Sequence, residues 1–227
     1  MKTVFLIGDS VRNGYDRYVR ESLAGVAEVC YPAENCRFAA YILRYAHMWK
    51  SALKIENADV VHWNAGLWDT LRIYGDGPLT PPDVYGDYIG RIDDRLAFLF
   101  PGAVRIFATS TPVIESGYIK EFEYRTNADV ERYNAIAKRV LAPRGVRIND
   151  LYALLKDRPD ALHSDQTHYF TADATELIGT QVVKVICEAA GIDQRAVKAP
   201  DKNGFVVTAY KNDNEMYVRK GHLYEPV

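Results

Sequence analysis

The chain has 227 residues, with 28 Lys and Arg against 30 Asp and Glu for a net charge of −2, which gives no electrostatic drive toward nucleic acid or an anionic membrane. That length suits one large domain or two small ones with a sizeable core. Cys30, Cys36 and Cys187 lack metal-like spacing, no Gly-rich stretch reads as a nucleotide loop, and no apolar run is long enough for a bilayer, so no metal, cofactor, membrane or signal peptide is expected and the setting reads as cytoplasmic.

Val4-Phe5-Leu6-Ile7 stops at Gly8-Asp9-Ser10, which reads as a buried strand of a parallel sheet turning into a helix. Open α/β sheets keep their chemistry at such turns, where strand ends open onto a crevice and helix N-termini point N–H groups into it. Ser10 is therefore a candidate nucleophile, although Asp9 or Ser10 could equally cap the helix. Helical spacing follows over 13–27, a short strand over 27–31 closed by Pro32, and a loop over 34–37. A long helix then places Tyr41, Ile42, Tyr45, Met48, Trp49 and Leu53 on one stripe. Residues 60–64 form a third strand, and a Gly/Pro-rich loop over 74–82 reads as a lid or binding loop.

Helix returns over 84–100, and 104–108 is a fourth strand whose end carries hydroxyls at 109–111 on the crevice side. A helix over 127–141, a strand over 146–148, a loop with short helix over 149–169, and a helix over 172–190 capped by Thr171 complete the series. The alternation predicts a three-layer α/β/α domain over 1–190, with a central, mostly parallel sheet of about five strands in flavodoxin-like order. Residues 191–227 break the rhythm and read as an appendage, a hairpin over 205–218 or an interface arm.

The polar cluster His163-Ser164-Asp165-Gln166-Thr167-His168-Tyr169 precedes the last helix. A serine hydroxyl needs a base to take its proton and a third group to orient that base. Asp165 and His168 are three residues apart, so a turn lets carboxylate meet imidazole; the competing reading is a helix-capping loop. His62 lies inside an apolar strand and reads as a core histidine, and His163 lacks an Asp three residues earlier. Sixteen Tyr suit a sugar-lined cleft, each offering a flat apolar face and a polar tip.

Gly-Asp-Ser after the first strand, with Asp-x-x-His near the end of the fold, resembles the SGNH, or GDSL, hydrolases. The resemblance implies the SGNH fold, Ser10 as nucleophile, and His168 and Asp165 as the rest of the triad. It also implies an oxyanion hole made by the nucleophile's N–H, a glycine N–H after the second strand, and an Asn in a Gly-x-Asn-Asp stretch after the third. Here the second block has no glycine, so that N–H falls to Cys36 or Arg37, and Gly66-Leu67-Trp68-Asp69 carries Trp in place of Asn. Asn64, two residues before Gly66, shares a strand face with the position it would replace and is the nominated amide donor, against a reading as a buried Asn satisfying a loop. Arg12 and Arg37 are candidate substrate contacts, against solvated arginines.

The expected activity is a serine esterase forming an acyl-enzyme, acting on a small acetyl-like ester of a small molecule or oligosaccharide. A lysophospholipase or thioesterase, or a non-catalytic binding module on the same fold, are the alternatives.

Overall fold

The computed structural model describes residues 1–205. Its elements in chain order are β1 (Lys2–Ile7), α1 (Ser10–Ser22), β2 (Ala27–Cys30), α2 (Ala39–Ala52), β3 (Val60–Trp63), β4 (Arg72–Ile73), α3 (Pro82–Leu99), β5 (Val104–Ala108), β6 (Glu123–Tyr124), α4 (Asn127–Leu141), β7 (Arg147–Asn149), α5 (Leu151–Leu155) and α6 (Ala172–Ala190), with short 3₁₀ turns between some of them. Five strands form one parallel sheet in the order β2-β1-β3-β5-β7. This is the expected flavodoxin-like arrangement, and it puts the ends of β1, β3 and β5 side by side over one crevice.

The strands are buried on both faces, so alternate residues feed two cores. Phe5, Ile7, Val61, Trp63 and Phe107 pack with Ile42, Ala46, Ile89, Ile92 and Leu96 of α2 and α3, joined by Tyr133 and Ala137 of α4. Val4, Leu6, Val60 and Ile106 pack with Tyr15 and Val19 of α1 and with Ile178, Val182 and Ile186 of α6. Local chemistry sets the helix ends. Thr126 and Thr171 accept from the N–H groups of Asp129 and Ala174, and Gly191 closes α6 in the left-handed conformation.

Four local expectations change. The first helix begins at Ser10 rather than at 13, because Asp9 accepts the Val11 N–H and caps it directly. On α2 the buried face is Ala39, Ile42, Leu43, Ala46 and Trp49, while Met48 and Leu53 are exposed; Tyr41 and Tyr45 stack on each other above that face. The loop after β3 contributes a short antiparallel pair, β4 with β6. The hydroxyls at 109–111 are buried, with Thr109 accepting from the Tyr152 N–H and donating to Asp150.

Residues 191–205 lie against the helices. Lys202 pairs with Asp173 and Glu176, and Phe205 meets Tyr18 edge-on. The expected hairpin lies outside the described residues apart from Phe205. Among the described residues, no helix is long and apolar enough to cross a membrane, and no cluster of His, Cys, Asp and Glu could hold a metal ion.

Candidate active site

Ser10 is the first residue of α1, where a backbone N–H has no acceptor within the helix. Its side chain is nearly buried at the end of β1. The loop before α6 brings His168 to it across the crevice, with His168 Nε2 2.9 Å from Ser10 Oγ. On the other side of the ring, His168 Nδ1 lies 2.8 Å from Asp165 Oδ2. Asp165 Oδ1 accepts the backbone N–H groups of Thr167 and His168 at 2.7 and 2.8 Å, so the carboxylate caps its own turn while it holds the imidazole. The helix cap of α6 falls to Thr171, so Asp165 braces the loop ahead of the helix rather than capping the helix.

Burial works to raise the Asp165 carboxyl, but the hydrogen bond and charge of His168, with the two backbone N–H groups, outweigh it and hold the group down to about 2. An ionised Asp165 fixes the proton of His168 on Nδ1 and leaves the Nε2 lone pair facing the serine. Phe170, which the sequence reading did not single out, stacks on the imidazole with ring centroids 4.8 Å apart. The loop is anchored through Ile114, whose N–H bonds the Gln166 carbonyl, and through Tyr118, whose hydroxyl lies 2.7 Å from Thr167 Oγ1.

Asp9 lies beneath the serine, fully buried, and Asp9 Oδ1 accepts from Val11 N at 3.0 Å and from Asn64 Nδ2 at 2.8 Å. Burial raises its carboxyl, opposed by those bonds and by the nearby charges of His168 and Arg125. One amide hydrogen of Asn64 is thus committed to Asp9, and one remains. Gly66 turns the chain at φ +147°, and any side chain there would press within 2.2 Å of Ser110 Oγ.

The other nominated residues are placed differently from expectation. The Cys36 N–H donates to the Gly8 carbonyl at 3.0 Å, and the Arg37 N–H donates to Asn35 Oδ1 at 2.8 Å; each has a single hydrogen, already spent. Arg37 itself adopts a left-handed φ of 52°, a conformation that favours glycine, and its guanidinium lies over the Tyr41 ring. Arg12 is neither a solvated arginine nor a substrate contact. It is completely buried, bonded to Asp16 and to the carbonyls of Pro32 and Glu34, and so ties α1 to the loop after β2.

His62 is a core residue as expected. Its Nε2 lies 3.1 Å from Asn149 Nδ2, and burial depresses its pKa to about 3. His163 Nε2 lies 3.3 Å from the Pro112 carbonyl, and its ring packs on that of Tyr169.

No family model and no curated protein matches the chain. Solved structures do. A lipase/acylhydrolase from Enterococcus faecalis is 18% identical with a TM-score of 0.62, over 88% of this chain and 99% of its own. The acetyl xylan esterase AlAXEase is 15% identical at 0.62, over 82% and 100%. A catalytic mutant of Axe2, an acetylxylan esterase from Geobacillus stearothermophilus, is 13% identical at 0.60, over 85% and 95%. With its five-stranded parallel sheet and the crevice at the ends of β1 and β3, the chain has the fold of the GDSL-type, or SGNH, hydrolases.

Proposed function

We propose that the protein is a serine ester hydrolase that removes a small, acetyl-like acyl group, with a sugar or oligosaccharide as the alcohol part. The observation that carries the reading is the unbroken relay from Ser10 Oγ through His168 to Asp165. In this mechanism Ser10 Oγ attacks the ester carbonyl as its proton passes to His168 Nε2. The imidazolium, held by ionised Asp165, returns the proton to the leaving alkoxide, and the acyl group stays on Ser10. Water, deprotonated by the same His168, then releases the acid.

The oxyanion donors in this proposal are the Ser10 N–H and the second amide hydrogen of Asn64. Preorganised donors of this kind are each worth about 10²–10³ in turnover. The small-acyl, carbohydrate assignment draws support from the tyrosine-rich composition and from the acetylxylan esterases among the structural neighbours. The three thiols Cys30, Cys36 and Cys187 are free, which fits the reducing interior of a cell.

A longer-acyl reading is favoured by one observation. Ile73, Tyr74, Ile119 and Phe122 are exposed on the segments that follow β3 and β5, an apolar rim that an acyl chain could cover. Hydrolysis of p-nitrophenyl esters from acetate to long chains, beside Ser10→Ala, decides. Ser10-dependent turnover that falls with chain length supports the small-acyl enzyme, and turnover that rises supports the lipase or thioesterase reading. Absence of any Ser10-dependent turnover or fluorophosphonate labelling points to the non-catalytic module.

A further inference from the structure

Among the described residues two arginines are buried, Arg12 and Arg125, and only Arg12 is matched to a carboxylate; of the half-buried arginines some are paired, while Arg37 and Arg95 form no ion pair. Arg12 pairs with Asp16 at 2.5 Å, Arg72 with Asp129 at 2.8 Å and Arg105 with Asp93 at 2.6 Å. Arg125 is 8% exposed; its Nε donates to the Leu67 carbonyl at 2.6 Å, and among the described residues it forms no ion pair and its two Nη groups have no acceptor. A desolvated guanidinium without a partner is costly, so a fold that keeps one leaves its charge available to something that arrives later. The Nη groups are not sealed off as buried orphans.

The position of Arg125 points to what arrives. Leu67 follows Gly66 in the loop at the end of β3, and the Arg125 charge acts on Asp9, the residue before Ser10. Held by a carbonyl of that loop, the guanidinium sits on the crevice side of the sheet. Its Nε hydrogen bond fixes the plane of the fork and leaves the paired Nη end, whose spacing matches the two oxygens of a carboxylate.

We propose that Arg125 is a carboxylate-recognition residue and that the substrate is an ester carrying a carboxylate a few bonds from the scissile carbonyl. This inference rests on the ester-hydrolase reading. The carboxylate belongs either to the acyl part, as in the half-ester of a dicarboxylic acid, or to the alcohol part, as in an acylated hydroxy acid or uronic acid.

Two matched pairs separate these sources: monomethyl succinate against dimethyl succinate, and O-acetyl-lactate against its methyl ester, each followed by acid release. The expected result is a kcat/KM preference on the order of tenfold or more for the charged member of one pair. In Arg125→Gln the ratio falls to about one, and Arg125→Lys, which keeps the charge without the fork, retains part of it. No preference in either pair, or equal losses on charged and neutral esters in Arg125→Gln with an unchanged melting temperature, overturns the proposal and makes Arg125 a positioning residue for Asp9.

The ester-hydrolase reading fails separately, if no ester including p-nitrophenyl acetate shows Ser10-dependent turnover. Calorimetric titration of Ser10→Ala with monomethyl succinate and with O-acetyl-lactate then still tests Arg125. Binding that disappears in Ser10→Ala/Arg125→Gln supports the site, and no binding overturns it.

Discussion

Asn64 lies so close over Gly8 that a side-chain carbon on Gly8 would meet Asn64 Oδ1 at 1.8 Å. The parallel register that pairs Ile7 with Trp63 continues into this contact, with the Asn64 N–H on the Ile7 carbonyl. The glycine of Gly-Asp-Ser is therefore required by the residue that follows β3, and secondarily by Arg12 Cβ, which a side-chain carbon on Gly8 would meet at 2.8 Å. Gly8→Ala should destabilise the protein by about 1–3 kcal/mol through overpacking and lower kcat by displacing Asp9 and Ser10. In an Asn64→Ala background the same substitution should cost less, since the clashing amide is gone. Urea unfolding of the four members of this cycle checks the coupling, and additive losses would refute it.

Within the serine relay, Ser10→Ala and His168→Ala should each abolish turnover and fluorophosphonate labelling while leaving the melting temperature close to that of the wild type. Asp165→Asn should keep the fold but lower kcat on the order of 10³–10⁴, because an amide cannot hold the His168 proton on Nδ1. Mass spectrometry of the labelled protein gives the modified residue directly, and attachment anywhere but Ser10 would refute the assignment.

Arg12→Met should be far more damaging than an ordinary helix substitution. It leaves Asp16 buried without its cation and strips the carbonyls of Pro32 and Glu34 of their donor, a loss of about 3–5 kcal/mol for breaking a buried pair. Denaturant unfolding measures it. The double variant Arg12→Met/Asp16→Leu should recover part of the loss, because no unpaired charge remains.

Stability should fall as the solution is made less acidic, through Asp69. Burial, with a small contribution from the charge of Asp9, lifts this carboxyl to about 7 against the hydrogen bonds from Thr80 and Ala39. The folded state thus holds the Asp69 proton more tightly than the unfolded chain, where the pKa is about 3.9. The stabilisation is complete below about pH 4 and is lost as pH rises to about 7, amounting to a few kcal/mol. Asp69→Asn should flatten that part of the profile; Asp9, also raised by burial, contributes a residual slope of the same sign. Urea midpoints at about pH 5 and about pH 8 for both proteins test this, and parallel profiles would rule Asp69 out.

The order of the sheet and the two separate ends of the serine relay are legible in the sequence because they rest on short-range regularities, whereas the link between those ends comes only from the family resemblance. Apolar runs of strand length alternating with helical periodicity specify a doubly wound sheet. A strand that stops at Gly8-Asp9-Ser10 puts a hydroxyl at a helix start, and Asp165 and His168 three residues apart share one turn. Strand alternation likewise sets the face on which Asn64 lies, although it cannot show that one amide hydrogen is taken by Asp9.

What only the tertiary structure decides is the partner of each polar group. The Cys36 N–H is lost to Gly8, 28 residues earlier, Arg12 is buried by carbonyls from the loop after β2, and β4 finds β6 some fifty residues away. Arg125 has no signature in its own neighbourhood, since its placement depends on the Leu67 carbonyl from another segment. Spacing along the chain encodes which face a side chain occupies. Which donor meets which acceptor is settled only when packing brings distant segments together, and a single N–H can satisfy only one of them.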